Sequence, residues 1–244
     1  MRRVYIGKIP VDLLDSEDEA VARIKDLIKS VKKPSFVVTL NPEIAYRASV
    51  NGDVRYVVRK SSLNLIDGIG IAKLIKWKLG VSVPRITGVD TMWKLLRRME
   101  SDEPIYLFGA HKEVIETVMK KAHEENPNIN IVGYSHGYND WEKVYEDIKN
   151  KKPRLVLVAL GAGRQEKFIY HYIRKLTFGI VAIGVGGSFD VWSGKVERAP
   201  EWVQKMGLEW LWRNIKEPQR IRRLIYSFTY LILAMKKEVY LYEK

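Results

Sequence analysis

Leu155-Val156-Leu157-Val158-Ala159-Leu160, followed by Gly161-Ala162-Gly163-Arg164-Gln165-Glu166, is the stretch that decides the fold. Six apolar residues in a row, with no alternation of polar positions, suit a strand buried on both faces, as in the middle of a parallel sheet. Glycines end the run, and the amphipathic segment Gln165–Lys175 reads as the helix that comes next. The unit recurs along the chain. Strands are expected at Phe36–Leu40, Leu63–Ile66, Ile105–Phe108, Ile129–Tyr134 and Ile180–Val185, with helices at Ser16–Ser30, Pro42–Ala48, Ile69–Leu79, Thr91–Met99, Lys112–Asn126 and Trp141–Asn150. This alternation predicts an α/β fold with a Rossmann-like, mostly parallel sheet and helices on both faces. Asn41-Pro42, Asp90-Thr91 and Asn139-Asp140 supply the start signals of three of the helices.

The 244 residues include no cysteine, so neither a disulfide framework nor a thiolate metal site is available, and a reducing, cytoplasmic setting is expected. The N-terminus has two arginines but no apolar run behind them, unlike a signal peptide. Leu224–Met235 is the longest strongly apolar run near the C-terminus, and it falls short of the roughly 20 residues that span a bilayer. Beyond Val185 the character changes to clustered glycines and then, from Pro200, to a Trp- and Arg-rich helical tail. The reading is an α/β core over 1–195 and a basic helical appendage over 196–244. Of the net charge of +13, Arg213 to Lys237 supplies seven cations against Glu217 alone, close to half of the excess. Such a cluster attracts nucleic acid, anionic lipid or a pyrophosphate substrate, the plain alternative being a solvated face.

In open α/β sheets ligands bind beyond the carboxyl ends of the strands. Those ends read Asn41-Pro42-Glu43, Asp67-Gly68-Ile69-Gly70, Gly109-Ala110, Ser135-His136-Gly137-Tyr138, Gly161-Ala162-Gly163 and Gly186-Gly187-Ser188-Phe189-Asp190. Glycines there, Gly109, Gly161, Gly186 and Gly187 among them, let backbone N–H groups approach a phosphate, although one glycine alone is ordinary turn chemistry. Neither GxGxxG nor GxxxxGK[ST] is complete, which argues against a nicotinamide enzyme and a P-loop. With no HExxH and no DxD, no metal site is expected, and the charge of a bound diphosphate falls to Arg85 and the tail arginines. Asp67 is equally placed to take a proton from an attacking hydroxyl or to cap the helix that starts near Ile69. Glu43 suits the dipole of its helix, Asp190 a turn cap or ribose hydroxyls, and Gln165 the surface or a phosphate or sugar.

Taken in order, several stretches resemble the TagA/WecG/CpsF family of glycosyltransferases (glycosyltransferase family 26). They are Thr39-Leu40-Asn41-Pro42-Glu43, Asp67-Gly68-Ile69-Gly70, Arg85-Ile86-Thr87-Gly88-Val89-Asp90, Leu107-Phe108-Gly109-Ala110, His136-Gly137-Tyr138, Ala159 to Glu166, Gly184 to Asp190, Gly194 to Pro200 and Gly207-Leu208-Glu209-Trp210-Leu211. The resemblance covers nearly the whole chain, and Gly-Val-Gly-Gly-Ser-Phe-Asp and Arg-Ala-Pro are its most specific parts. It implies an inverting transfer of N-acetylmannosamine or a related sugar from a UDP donor to N-acetylglucosamine on undecaprenyl diphosphate, without metal or other cofactor. It implies Asp67 as the general base, with Thr39 and Gln165 in catalysis. Asn41, Asp190, Arg85 and, toward the base, Tyr138 fall to the donor nucleotide. It further implies a tail that meets the inner, anionic face of the membrane and completes the site with arginines, for which Arg213, Arg220 and Arg223 are the nearest matches. Homo-oligomerisation is left open.

One departure stands out. The family's usual Pro-Lys-Gln-Glu is here Gly163-Arg164-Gln165-Glu166, which leaves a more flexible loop and puts the donor sugar, another UDP-hexose or a uronic acid included, in more question than the reaction class. Two other classes compete. A nucleic-acid-binding protein would account for the charge but not for the glycine-rich strand ends, and an epimerase would need the missing dinucleotide fingerprint.

Overall fold

The structure is a computed structural model that describes residues 2–206, 209–216 and 221–243. The chain opens with a hairpin, β1 (Arg2–Ile6) and β2 (Ile9–Asp12), followed by α1 (Glu17–Ser30) and β3 (Ser35–Leu40). Next come α2 (Pro42–Val50), α3 (Gly52–Lys60), β4 (Leu63–Ile66), α4 (Ile69–Leu79), α5 (Gly88–Arg97), β5 (Ile105–Gly109) and α6 (Lys112–Glu125). After these stand β6 (Ile131–Ser135), α7 (Trp141–Lys151), β7 (Leu155–Ala159), α8 (Arg164–His171), β8 (Val181–Gly184) and α9 (Ser188–Ser193). The chain closes with α10 (Glu201–Lys205), α11 (Glu209–Lys216), α12 (Ile221–Met235) and β9 (Val239–Glu243).

Six strands form one sheet in the order β4-β3-β8-β7-β5-β6, and every pairing is parallel. The expected α/β sheet with helices on both faces is therefore present. Its two faces arise from the two-residue period of a strand. On β3, Phe36, Val38 and Leu40 join the core shared with α2, α3, α8 and α12, while Val37 joins the opposite one with α1, α5, α6 and α9. The β7 run is buried from end to end, as a strand in the middle of such a sheet must be.

Helix starts obey local chemistry. Ser16 caps α1 by accepting from Glu19 N, and the Asn41 amide oxygen caps α2 by accepting from Ile44 N at 3.0 Å. Asn51 ends α2 and caps α3, whose Val54, Val57 and Val58 are buried. That second helix has no counterpart in the sequence pattern. Neither have β1, β2 and β9, which make a separate antiparallel sheet in the order β2-β1-β9. The hairpin is short and charged, and it is held by a non-local contact: buried Asp12 accepts from Asn64 N of β4 at 2.7 Å and pairs with Arg3 at 2.6 Å. The register β1–β9 joins the two ends of the chain, so the last strand of 196–244 lies in one sheet with the first strand of 1–195. Most strands shift by one residue at an end, and β6 begins two residues later than expected, at Ile131 rather than Ile129.

Candidate active site

Four neighbouring strands, β4, β3, β8 and β7, end at one cavity of about 390 Å³. Thr39 and Asn41 enter from the end of β3, Asp67 from β4, Gly161 and Gln165 from β7 and the start of α8, and Gly186 and Gly187 from β8. Arg85 and Thr87 come from the loop before α5. The opposite wall is the tail: Glu209 from α11 and Arg223, Leu224, Ser227, Phe228 and Leu231 from α12. Helix α12 is seated on α2 by a Tyr46–Tyr226 stack with centroids 5.1 Å apart, and the Arg47 guanidinium lies over the Tyr226 ring.

Asp67 does not cap α4. Gly68 holds the cap position without a side-chain bond, and the Asp67 carboxylate instead accepts from Gly88 N at 3.2 Å, at the first residue of α5. Arg85 reads the same residue from its other side, its Nε donating to the Asp67 main-chain oxygen at 2.7 Å, with Nη2 4.0 Å from Asp67 Oδ1. Asp67 is thus pinned by α5 and by a guanidinium while its carboxylate lines the cavity.

Gln165 is almost wholly buried and its amide is clamped at both ends. Oε1 accepts from Gly186 N at 2.9 Å, and Nε2 donates to Glu166 Oε1 at 2.8 Å. Glu166 in turn accepts from Gly163 N at 2.6 Å. Gly163 has φ +86°, a left-handed conformation that proline cannot adopt, and a proline would have no N–H to give Glu166. The replacement of the family's proline therefore has a local structural use here. Burial pushes the Glu166 carboxyl up to about 7, the hydrogen bonds it accepts from Gln165, Gly163 N–H and its own N–H oppose that, and the nearby Glu43 charge adds to it. Gly184 completes the arrangement, since any β-carbon there would collide with the Gln165 amide. Thr39 donates its hydroxyl to Gly184 O at 2.8 Å, which leaves the oxygen as an acceptor toward the cavity.

A charged network that ties the candidate Arg85 to Glu209, Arg198 and Asp90, three residues not among the sequence candidates, closes one end. Arg85 Nη2 donates to Glu209 Oε2 at 3.0 Å, and Glu209 Oε1 accepts from Arg198 Nε at 3.4 Å. The Arg198 fork also grips Asp90 through two bonds of 2.6 Å, and the Thr87 hydroxyl reaches the same carboxylate. Burial alone would raise the Asp90 carboxyl, yet Arg198 and Thr87 hold it below the ordinary range. Arg198 and Glu209 both stand in stretches that carry the family resemblance, which was the signal available.

The remaining candidates are dispersed. Gly109, Tyr138 and Asp190 do not line this cavity among the described residues. Gly109 ends β5 toward the far edge of the sheet, and Tyr138, largely exposed, pairs its hydroxyl with His111 Nε2 at 3.0 Å. Asp190 sits in the first turn of α9. Arg223 lines the cavity, and a β-carbon on Gly161 would lie 3.7 Å from its Nη2. The side chain of Arg213 and the whole of Arg220 lie outside the described residues. Among the described residues no group of three His, Asp or Glu side chains is placed to share a metal ion, and no helix is long and apolar enough to cross a membrane.

A profile of the glycosyl transferase WecG/TagA/CpsF family matches residues 4–243. The chain belongs to this family. Among similar proteins is the N-acetylglucosaminyldiphosphoundecaprenol N-acetyl-beta-D-mannosaminyltransferase of Bacillus subtilis (strain 168), 41% identical over 204 residues, covering 83% of this chain and 79% of the relative. The protein of the same description from Bacillus spizizenii (strain ATCC 23059 / NRRL B-14472 / W23) is 36% identical over 231 residues, 93% and 90% of the two chains. As a WecG/TagA/CpsF glycosyltransferase, the chain places the strand-end motifs that carry the resemblance on a single parallel sheet.

Proposed function

We propose that this protein transfers N-acetylmannosamine from a UDP donor to N-acetylglucosamine carried on a polyprenyl diphosphate, with inversion, in the synthesis of teichoic acid or a related cell-surface polymer. The activities named for the two Bacillus relatives support the substrates. The observation that carries the chemistry is the convergence of Asp67, Arg85, Thr39, Asn41 and Gln165 on one cavity.

The reaction is a single displacement. Asp67 accepts the proton of the acceptor hydroxyl as its oxygen bonds to the anomeric carbon, and the bond from that carbon to the UDP oxygen breaks. Gly88 N–H and Arg85 keep the carboxylate oriented. The negative charge released onto UDP is met by Arg85, by Arg223 and by the amide at Gly187, protein cations and dipoles fixed before the reaction begins. Asn41 spends its amide oxygen on α2 and keeps its N–H₂ for the donor. Tyr138, Gly109 and Asp190 serve the nucleotide's outer part, and Arg213 and Arg220 join Arg223 around the diphosphates. One base and no nucleophile suffice for inversion.

The basic, apolar tail suits a protein that works at the cytoplasmic face of the membrane, bound from one side, where a lipid-linked acceptor resides. The test is UDP release from a panel of UDP-sugars with and without prenyl-diphosphate-linked N-acetylglucosamine. Acceptor-dependent release from UDP-N-acetylmannosamine is expected. Release without acceptor, or none from any donor, removes the reading.

A further inference from the structure

The cavity of about 390 Å³ lies at the small end of the range for pockets that enclose one drug-sized ligand. A nucleotide sugar takes up most of such a volume, so an acceptor with a long hydrocarbon chain keeps that chain outside. One part of the rim is built for this. Gly70 and Lys73 of α4 line it on one side, Phe228 and Leu231 of α12 on the other. The two helices meet there, since a β-carbon on Gly70 would stand 3.0 Å from Leu231 Cδ1.

Both helices carry the same chemistry away from that point. On α4, Trp77 lies four residues beyond Lys73, on the same helix face, and is 61% exposed. The last turn of α4 adds Lys76 and Lys78, with the Lys78 ammonium 4.6 Å from the Trp77 ring centroid. On α12, Phe228, Ile232 and Met235 recur at helical spacing and are 52%, 60% and 50% exposed. Large apolar side chains left in water beside lysines form a surface matched to hydrocarbon and anionic head groups together.

We propose that the α4–α12 seam is the port by which a prenyl-diphosphate acceptor reaches the cavity, with Lys73 holding its diphosphate at the mouth and Trp77 lying against the lipid. Charge and continuity select the occupant: an ammonium at the rim of a cavity, then apolar surface running outward from it. The port rests on the transferase reading for what it delivers, and it adds a binding residue and an entry direction to that reading.

The test uses the whole chain and phosphatidylcholine vesicles with and without undecaprenyl diphosphate, read by flotation. Binding to the doped vesicles is expected to be about tenfold tighter, the worth of one charge-assisted contact. Lys73→Gln is expected to remove most of that preference, and Trp77→Ala to weaken binding to both vesicle types about fivefold. Both side chains are exposed, so neither substitution disturbs the core. A preference that survives Lys73→Gln, or vesicle binding untouched by Trp77→Ala, overturns the port. So does a Trp77→Ala effect on sedimentation mass alone, which marks the face as an interface between copies of the chain. UDP release from UDP-N-acetylmannosamine is scored on parallel samples whose vesicles carry undecaprenyl-diphosphate-linked N-acetylglucosamine: its absence, with the vesicle results as expected, removes the transferase reading and leaves the port standing.

Discussion

Arg85 of the α/β core and Glu209 of the tail form an ion pair of 3.0 Å, and both side chains are mostly withdrawn from solvent. The same guanidinium holds the main chain of Asp67. A single cation thus joins the carboxylate we assign as base to a helix that arrives more than 120 residues later. Glu209 leaves part of the Arg85 fork facing the cavity while fixing its angle, so tail docking and the geometry of the base are mechanically linked.

Replacing Glu209 by Gln removes the charge that Arg85 and Arg198 share. Loss of about 1.5–3 kcal/mol of stability is expected in urea titrations, the range for a hydrogen bond to a charged group. Turnover should fall by about tenfold or more as Arg85 swings off its axis. Wild-type turnover in Glu209→Gln would show that Arg85 needs no such support.

Asp67→Asn keeps the shape of the side chain and removes its basicity. A fall in kcat of about 10²–10⁴, with UDP affinity by calorimetry within a few fold, is expected for loss of a general base. Near-normal kcat would remove the assignment of Asp67.

Gly184→Ala puts a methyl group into the Gln165 amide. Overpacking of this kind costs about 1–3 kcal/mol. Because it breaks the bond from Gly186 N, it should also reproduce the kinetic loss of Gln165→Ala, and the double variant should lose little more. Additive losses in a double-mutant cycle would argue that the two positions act separately.

Glu166 sets a pH dependence of known sign. Its folded value, about 7, exceeds that of the unfolded chain, so the folded state binds the proton more tightly. The stability it contributes is complete at low pH and is lost as pH rises through about 7. Denaturation midpoints should fall as the pH is raised from about 4.5 to about 7, the interval between the unfolded and folded values, and level off above it, and Glu166→Gln should flatten the change. Asp90 runs the other way: its value is depressed, so its contribution is present near neutrality and lost as the solution is acidified.

The sequence by itself determined the six-stranded sheet, the chain order of its strands and of most of the helices between them, and the strand-end wall of the cavity. These are local matters. An unbroken apolar run such as Leu155–Ala159 can only be buried on both faces, and glycine or a short polar residue must end it. With parallel strands, the residues just past each strand end arrive on one rim, so Thr39, Asn41, Asp67, Gln165 and Gly186 converge without further information. Which strands are neighbours was decided only in three dimensions. The order β4-β3-β8-β7-β5-β6 puts four strand ends at the cavity and carries Gly109 and Tyr138 toward the far edge. The hairpin β1–β2 and the strand β9 were equally illegible, because short charged strands are stabilised by partners distant in the chain, here Asn64 for Asp12 and the last strand for the first. The sequence leaves Asp67 as a base or a helix cap, and the fold removes the cap, since Gly68 holds that position and the Asp67 carboxylate accepts from Gly88 N–H instead. The role of Glu209 came last, since a buried carboxylate tolerates its charge only beside cations, and Arg85 and Arg198 are brought to it by packing alone.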